Sequence, residues 1–440
     1  MLFVCYIPIC QCGEVGSNQF QKEAKVHIGN YRVVSIHDYS FEELLDEGIN
    51  TLARQLDILH VPIRQSSSVI KWYIRRHIIK ENRCNTSFRA ISFVYPSVTP
   101  QGEPVMLSGL VTIPLLHGNT PSHMIIYHRL VCVSNTIAPS NSLPVEAVLT
   151  ADNTICVFPD YYGCGVTQNN TLPYAAINYH ARCATECALV ALNIVHDIGI
   201  DLAPEFYTFN TGYSQGAGYA LATHKYIETS LPDSLSRRIN LRWSLCCNGV
   251  YSPDKLFESA ILNDNMGSTP SIYLQTLRSL LLTNRESFDG ISVRDFLSDK
   301  AIGTGIDSVL LTNDDGLWDL SNRLDGRDKS HHPADYFNPN VLDTSTELYR
   351  TIMAILSLDD CVTGWIPKSP VVISHSKKDN TIPFQLALMA QSQLSAENNH
   401  CILYVPPING SHVFSAFLYY TTLLSHSEDE LFHFYYPEEF

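Results

Sequence analysis

The stretch TFNTGYSQGAGYALATHKYI, Thr208–Ile227, sets one serine, Ser214, between Gly212 and Gly216. An apolar, β-rich run (Glu205–Gly212) ends there, and a small-residue segment with helical spacing begins. The serine is therefore expected on a sharp strand-to-helix turn. Such a turn strains the central residue and brings strand and helix into contact, which flanking glycines allow. The plain alternative is a glycine-rich helix start with a capping serine. A five-letter G-x-S-x-G match arises often by chance, so its weight comes from this strand-turn-helix setting.

Apolar runs of strand length lie on both sides of the turn. HMIIYH (His123–His128) and TICVFP (Thr154–Pro159) precede it; LRWSLCCNG (Leu241–Gly249), PVVISH (Pro370–His375) and CILYVPP (Cys401–Pro407) follow. Helical patterns separate several of them, most clearly Ala181–Ile198. Continuous apolar strands alternating with helices predict an α/β fold, a mostly parallel sheet flanked by helices on both faces. Phe88–Pro114 alternates about a turn at Pro100, Gln101 and Gly102, which predicts a β-hairpin.

Residues 1–85 read as a mostly helical N-terminal extension, with Ser40 and Glu43 forming a capping box ahead of FEELLDEGINTLARQL. Between Gly249 and Pro370 there is no strand signal. Leu274, Leu277 and Leu281 share one helix face there, and Leu348, Ile352, Ile355 and Leu356 another. This predicts a helical cap or lid, 251–365, inserted between late strands of a core formed by 86–250 and 366–440. Asp359 and Asp360 precede the strand at Pro370 and read as cap or hinge residues.

Composition narrows the function. The chain has 440 residues, 45% of them hydrophobic and 17% charged, as expected of a globular protein with a substantial core. A net charge of −15 disfavours a nucleic-acid or anionic-membrane partner. The most basic local run, IRRHIIK at Ile74–Lys80, reads as one side of an amphipathic segment. Thirteen cysteines cannot all pair internally. Cys132, Cys156, Cys246, Cys247 and Cys401 sit in apolar runs as small core residues, and Cys10, Cys12, Cys183 and Cys187 lack the partners a zinc site needs. Neither a metal nor a cofactor is expected. No apolar run reaches bilayer-spanning length, so no integral membrane segment is expected.

A serine hydroxyl needs an imidazole to take its proton, and the imidazole needs a carboxylate to fix its tautomer. Both follow in order, each just past a strand. Asp379 lies in SKKDNTIPF after Pro370–His375, and His412 in INGSHVFSAF after Cys401–Pro407. Singly, each would be an ordinary loop residue; together they predict a Ser214–His412–Asp379 triad. Asp254, after the strand ending near Gly249, is a reserve acid. The oxyanion hole is expected from the backbone N–H of Gln215 and from that of Arg129 or Leu130, past the strand His123–His128.

GYSQGAGYA, FPDYYGCGVT (Phe158–Thr167), QGEPVMLSGLVTIP and GWIPKSPVVISHSKKDNTIPFQLA together resemble the secretory-lipase-like branch of the α/β-hydrolase superfamily, bacterial relatives included. The resemblance runs from about Phe88 to Phe417. It implies an α/β-hydrolase fold with a helical cap, and serine esterase or lipase chemistry on a small-molecule or lipid ester. The family's nucleophile falls on Ser214, its acid on Asp379 and its histidine on His412. Its usual His-Gly pair after the first core strand is replaced here by His128-Arg129. It also implies export, with the signal absent or truncated, a cytoplasmic location staying open. The alternatives are a peptidase or acyltransferase with the same triad, or an inactive hydrolase-like binding protein. Oligomeric state is not legible.

Overall fold

The structure is a computed structural model that describes residues 30–58, 87–115, 120–130, 137–311 and 330–436. The run before Asn30, the basic run Ile74–Lys80, and Cys10, Cys12 and Cys132 lie outside the described residues.

Each apolar run forms a strand. Among the described residues the strands are β1 (Arg32–Ser40), β2 (Ser87–Val98), β3 (Pro104–Leu115), β4 (His123–His128), β5 (Thr154–Pro159), β6 (Tyr207–Tyr213), β7 (Leu241–Cys247), β8 (Val371–Ser374) and β9 (Cys401–Tyr404), of which β1 is not among the apolar runs. They make one sheet in the order β1-β2-β3-β5-β4-β6-β7-β8-β9. The pairs from β1 to β5 along this order are antiparallel, and those from β5 to β9 are parallel. The chain reverses its winding direction where β6 returns to the free side of β4. The C-terminal ends of such strands, beside the reversal, are where open α/β sheets place their sites.

Alternation sends successive side chains to opposite faces. Met124 and Ile126 of β4 join one buried cluster, with α2 (Ile177–Asp197) and α3 (Gln215–Thr229). Ile125 and Tyr127 join the other, with α1 (Phe41–Ile58) and residues near the C-terminus such as Tyr419 and Leu423. The result is the three-layered, mostly parallel sheet expected. The expected hairpin is also present: β2 and β3 pair across Gly102, which has φ +86° and donates its N–H to Thr99 O at 2.9 Å.

The expected capping box forms. Ser40 N donates to Glu43 Oε2 at 2.9 Å and Glu43 N to Ser40 Oγ at 3.3 Å, starting α1. The residues just before it add a strand that the sequence reading of this segment does not include. Arg32–Ser40 is a strand, paired with β2 through a bulge between Val33 and Ser35. It is an edge strand whose side chains are mostly exposed on both faces, so no alternation of burial marks it in the sequence.

Residues between β7 and β8 form helices around a separate buried cluster. These include α4 (Pro253–Leu262), α5 (Ser271–Thr283) and α6 (Glu347–Ser357), with Leu274, Leu277, Leu281, Ile352, Ile355 and Leu356 in the cluster as the spacing predicts. The segment leaves and rejoins the sheet at one point, where Ser252 Oγ donates to Asp360 Oδ1 at 2.7 Å. After β8 come α7 (Phe384–Leu394), then α8 (His412–Ser425) and α9 (Glu428–Tyr435) beyond β9. Cys183, Cys187, Cys246 and Cys247 are buried free thiols. Among the described residues no helix is long and apolar enough to cross a membrane.

Candidate active site

Ser214 stands between β6 and α3 with φ 55° and ψ −118°, a conformation costly for any residue with a side chain. Contacts on both sides hold it there. Ser214 N donates to Cys247 O at the end of β7 (2.9 Å), and Ser214 O accepts the Ala217 N–H (3.0 Å). The flanking glycines supply clearance. A Cβ on Gly212 would overlap the Gly216 carbonyl, and one on Gly216 would overlap His128 O and lie 2.6 Å from Arg129 O. The turn thus packs backbone against backbone, between β6 and its own helix and between that helix and the end of β4.

The structure brings together the three residues that the sequence singled out. His412 Nε2 lies 2.8 Å from Ser214 Oγ, and His412 Nδ1 lies 2.7 Å from Asp379 Oδ2. An ionised carboxylate can only accept, so Nδ1 carries the proton and Nε2 turns its lone pair to the serine hydroxyl. The Asp379 side chain is fully buried and that of His412 is 13% exposed. Burial alone would raise the Asp379 carboxyl. The hydrogen bond and charge of His412, the charge of His375 and the amide of Asn248 outweigh it and hold the carboxyl below its ordinary value. Asp379 Oδ1 accepts the backbone N–H groups of Thr381 and Ile382, both at 2.8 Å, which fixes the carboxylate plane.

Asp254, the reserve acid, is not part of this chain of contacts. It sits in the first turn of α4, 3.7 Å from Lys255 Nζ, and burial raises its carboxyl. Gln215 supplies the first amide of α3, at the positive end of the helix dipole. Its side chain donates to Tyr219 OH at 2.5 Å. The backbone of His128 and Arg129 touches this helix start, so the strand end named for the second oxyanion donor lies beside Ser214. The Arg129 guanidinium is directed elsewhere, donating to Asp160 O (2.5 Å) and Ile137 O (3.3 Å). It fastens the β4 loop to the end of β5. His128 is fully buried: its Nε2 faces Asn210 Oδ1 at 2.7 Å and its Nδ1 faces Tyr161 OH at 2.5 Å. Burial lowers its pKa to about 3, so the ring is neutral and serves as a rung between strands.

Three neighbours escaped sequence reasoning. Tyr213 donates to His412 O at 2.6 Å, linking the residue before the serine to the histidine's backbone. Asn248 donates to Asp379 Oδ2 at 2.5 Å. His375 Nε2 lies 3.7 Å from the same oxygen and bonds Ile382 O at 3.1 Å. Asn248 alone left a sequence signal, an Asn-Gly pair closing an apolar run, which reads only as a turn. The arrangement has what nucleophilic chemistry needs: a hydroxyl facing an imidazole lone pair, a buried carboxylate behind that imidazole, and helix-start amides alongside.

No family model matches the chain, and no curated protein sequence matches it. Solved structures do. The rice cell wall degrading esterase LipA from Xanthomonas oryzae superposes with a TM-score of 0.68 at 16% identity, covering 92% of this chain and 98% of that one. Candida antarctica lipase A in its closed state superposes with a TM-score of 0.52 at 16% identity, covering 75% of this chain and 74% of that one. The likeness is one of fold, and that fold is the α/β-hydrolase fold.

Proposed function

We propose that this α/β-hydrolase chain is a serine carboxylic-ester hydrolase working through an acyl-enzyme. One observation carries the reading: the unbroken hydrogen-bonded line from Ser214 Oγ through His412 to Asp379, at 2.8 and 2.7 Å. Its setting supports it, since the three residues sit past the C-terminal ends of β6, β9 and β8 and the serine holds a strained backbone at φ 55°. The structures of similar fold named above are described as an esterase and a lipase, which agrees with an ester substrate.

In this mechanism His412 Nε2 takes the hydroxyl proton as Ser214 Oγ attacks the ester carbonyl. Asp379 holds the imidazole in the required tautomer and balances the imidazolium that forms. The developing oxyanion faces the amide of Gln215 and one from the Arg129–Leu130 backbone. Collapse expels the alcohol, protonated by His412, and leaves the acyl group on Ser214. Water, deprotonated by the same imidazole, then releases the acid. The helical segment 251–365 acts as a cap over the strand ends and selects the substrate.

The test is a p-nitrophenyl ester series from acetyl to long acyl chains, run on wild type and on Ser214→Ala. Turnover in wild type that Ser214→Ala abolishes supports the reading, and the preferred chain length measures the acyl pocket. Turnover that survives the substitution refutes the mechanism.

A further inference from the structure

We propose that Asn248 is a positioning residue for the acid of the triad, its side-chain amide holding Asp379 Oδ2 in the orientation that serves His412. The proposal rests on the serine-hydrolase reading and adds a member to its machinery. Asn248 is the residue just past β7, between the strand that precedes Ser214 and the strand that precedes Asp379 in the sheet order. Two backbone bonds fix that location. Ser214 N donates to Cys247 O at 2.9 Å, and Asn248 N donates to Ser374 O at 2.8 Å. Asn248 has φ 51°, in the left-handed region that asparagine enters more readily than most residues. There its amide meets Asp379 Oδ2 at 2.5 Å, the oxygen that also accepts from His412 Nδ1 at 2.7 Å. A carboxylate only accepts, so the asparagine nitrogen must be the donor.

The division of labour on the carboxylate follows. Oδ1 is saturated by the Thr381 and Ile382 amides, and Oδ2 is shared by Asn248 and His412. Nearby His375 is committed to Ile382 O at 3.1 Å and stands 3.7 Å from Oδ2. Asn248 thus supplies the one side-chain amide hydrogen bond to Asp379 among the described residues. It adds a hold on Oδ2 to the plane already set at Oδ1, and shares Oδ2 with the imidazole. Without it, the Oδ1 amides still set the carboxylate plane, but Oδ2 is held by the His412 bond alone and the alignment of that bond shifts.

Asn248→Gly removes the amide while keeping a backbone that accepts φ 51° without strain. On a p-nitrophenyl ester that wild type hydrolyses, kcat should fall about 10–100-fold, the size of one charge-assisted hydrogen bond, with KM within about twofold. In proton NMR, the low-field resonance of the His412–Asp379 hydrogen bond should move downfield in Asn248→Gly as the imidazole gains Oδ2 alone. A folded Asn248→Gly protein with wild-type kcat overturns the proposal. So does a loss confined to KM, or a low-field resonance unchanged in position. Ser214→Ala and Asp379→Asn run alongside separate the two levels: if both keep wild-type turnover the triad reading itself fails, whereas if both are inactive and Asn248→Gly is normal only the present proposal falls.

Discussion

Gly216→Ala perturbs the elbow by a single methyl group. A Cβ at this position would overlap His128 O and lie 2.6 Å from Arg129 O, both backbone atoms, where ordinary contact begins at 3.4 Å. Neither carbonyl belongs to a flexible side chain. Either the start of α3 or the end of β4 must therefore retreat by about 1 Å. That displacement separates the Gln215 amide from the Arg129–Leu130 backbone, the two donors assigned to the oxyanion. A misplacement of this size costs about 10²-fold in rate, or about 2.7 kcal/mol of transition-state stabilisation. Overpacking of the buried contact costs about 1–3 kcal/mol of stability as well. The assay is kcat/KM on a p-nitrophenyl ester beside a calorimetric melt. Gly199→Asn is the control: Gly199 has φ +76°, and a Cβ there would meet nothing within 4 Å, so asparagine fits. The control should keep both activity and melting temperature. A Gly216→Ala protein as active as wild type would refute the reasoning, because close approach at the elbow would then serve no catalytic end.

Glu228, in the last turn of α3, ties that helix to the entry of β8. It accepts Lys368 N and Ser369 N, both at 2.8 Å, and faces His224 Nε2 at 3.1 Å. Burial would raise its carboxyl, but the hydrogen bond and charge of His224 and the two amides outweigh it and lower the pKa to about 2 from 4.5. A carboxyl depressed in the folded state stabilises fully above its unfolded value and loses that contribution as pH falls toward the folded one. Glu228→Gln should therefore cost about 1–2 kcal/mol at pH 7, allowing for partial solvent screening, and little near pH 2. A difference that stays constant across denaturant melts from pH 7 to pH 3 contradicts the assignment. Tyr161→Phe removes the hydroxyl that faces buried His128 Nδ1. Leaving that nitrogen unsatisfied should cost about 1–3 kcal/mol of stability. An unchanged melting temperature would show that the His128 rung does not hold the β4 end.

Much of this was legible in the sequence for an identifiable reason. Ser214, Asp379 and His412 each follow a continuous apolar run; β6 and β8 are buried on both faces, as central strands are, and β9, though at the sheet edge, keeps the apolar run CILY. Strand ends thus locate the residues that the sheet will bring together. Tyr213 and Asn248 obey no such rule. Their partners lie 199 and 131 residues away, and each meets them through one polar atom whose direction is set only by the finished sheet. Arg129 stands where the resemblance led to a glycine, and nothing in the sequence says that its guanidinium turns to the carbonyls of Ile137 and Asp160. The edge strand Arg32–Ser40 went unseen because exposure on both faces erases the period-two pattern that reveals the other strands.

The central claim is that Ser214 is a nucleophile activated by His412, and covalent capture tests it most directly. Wild-type protein treated with a fluorophosphonate should gain one adduct by intact mass, and peptide mapping should place it on Ser214. Ser214→Ala should gain none, and His412→Ala should react at least about 10²-fold more slowly. An adduct on another residue, or labelling of wild type no faster than of His412→Ala, would contradict the account.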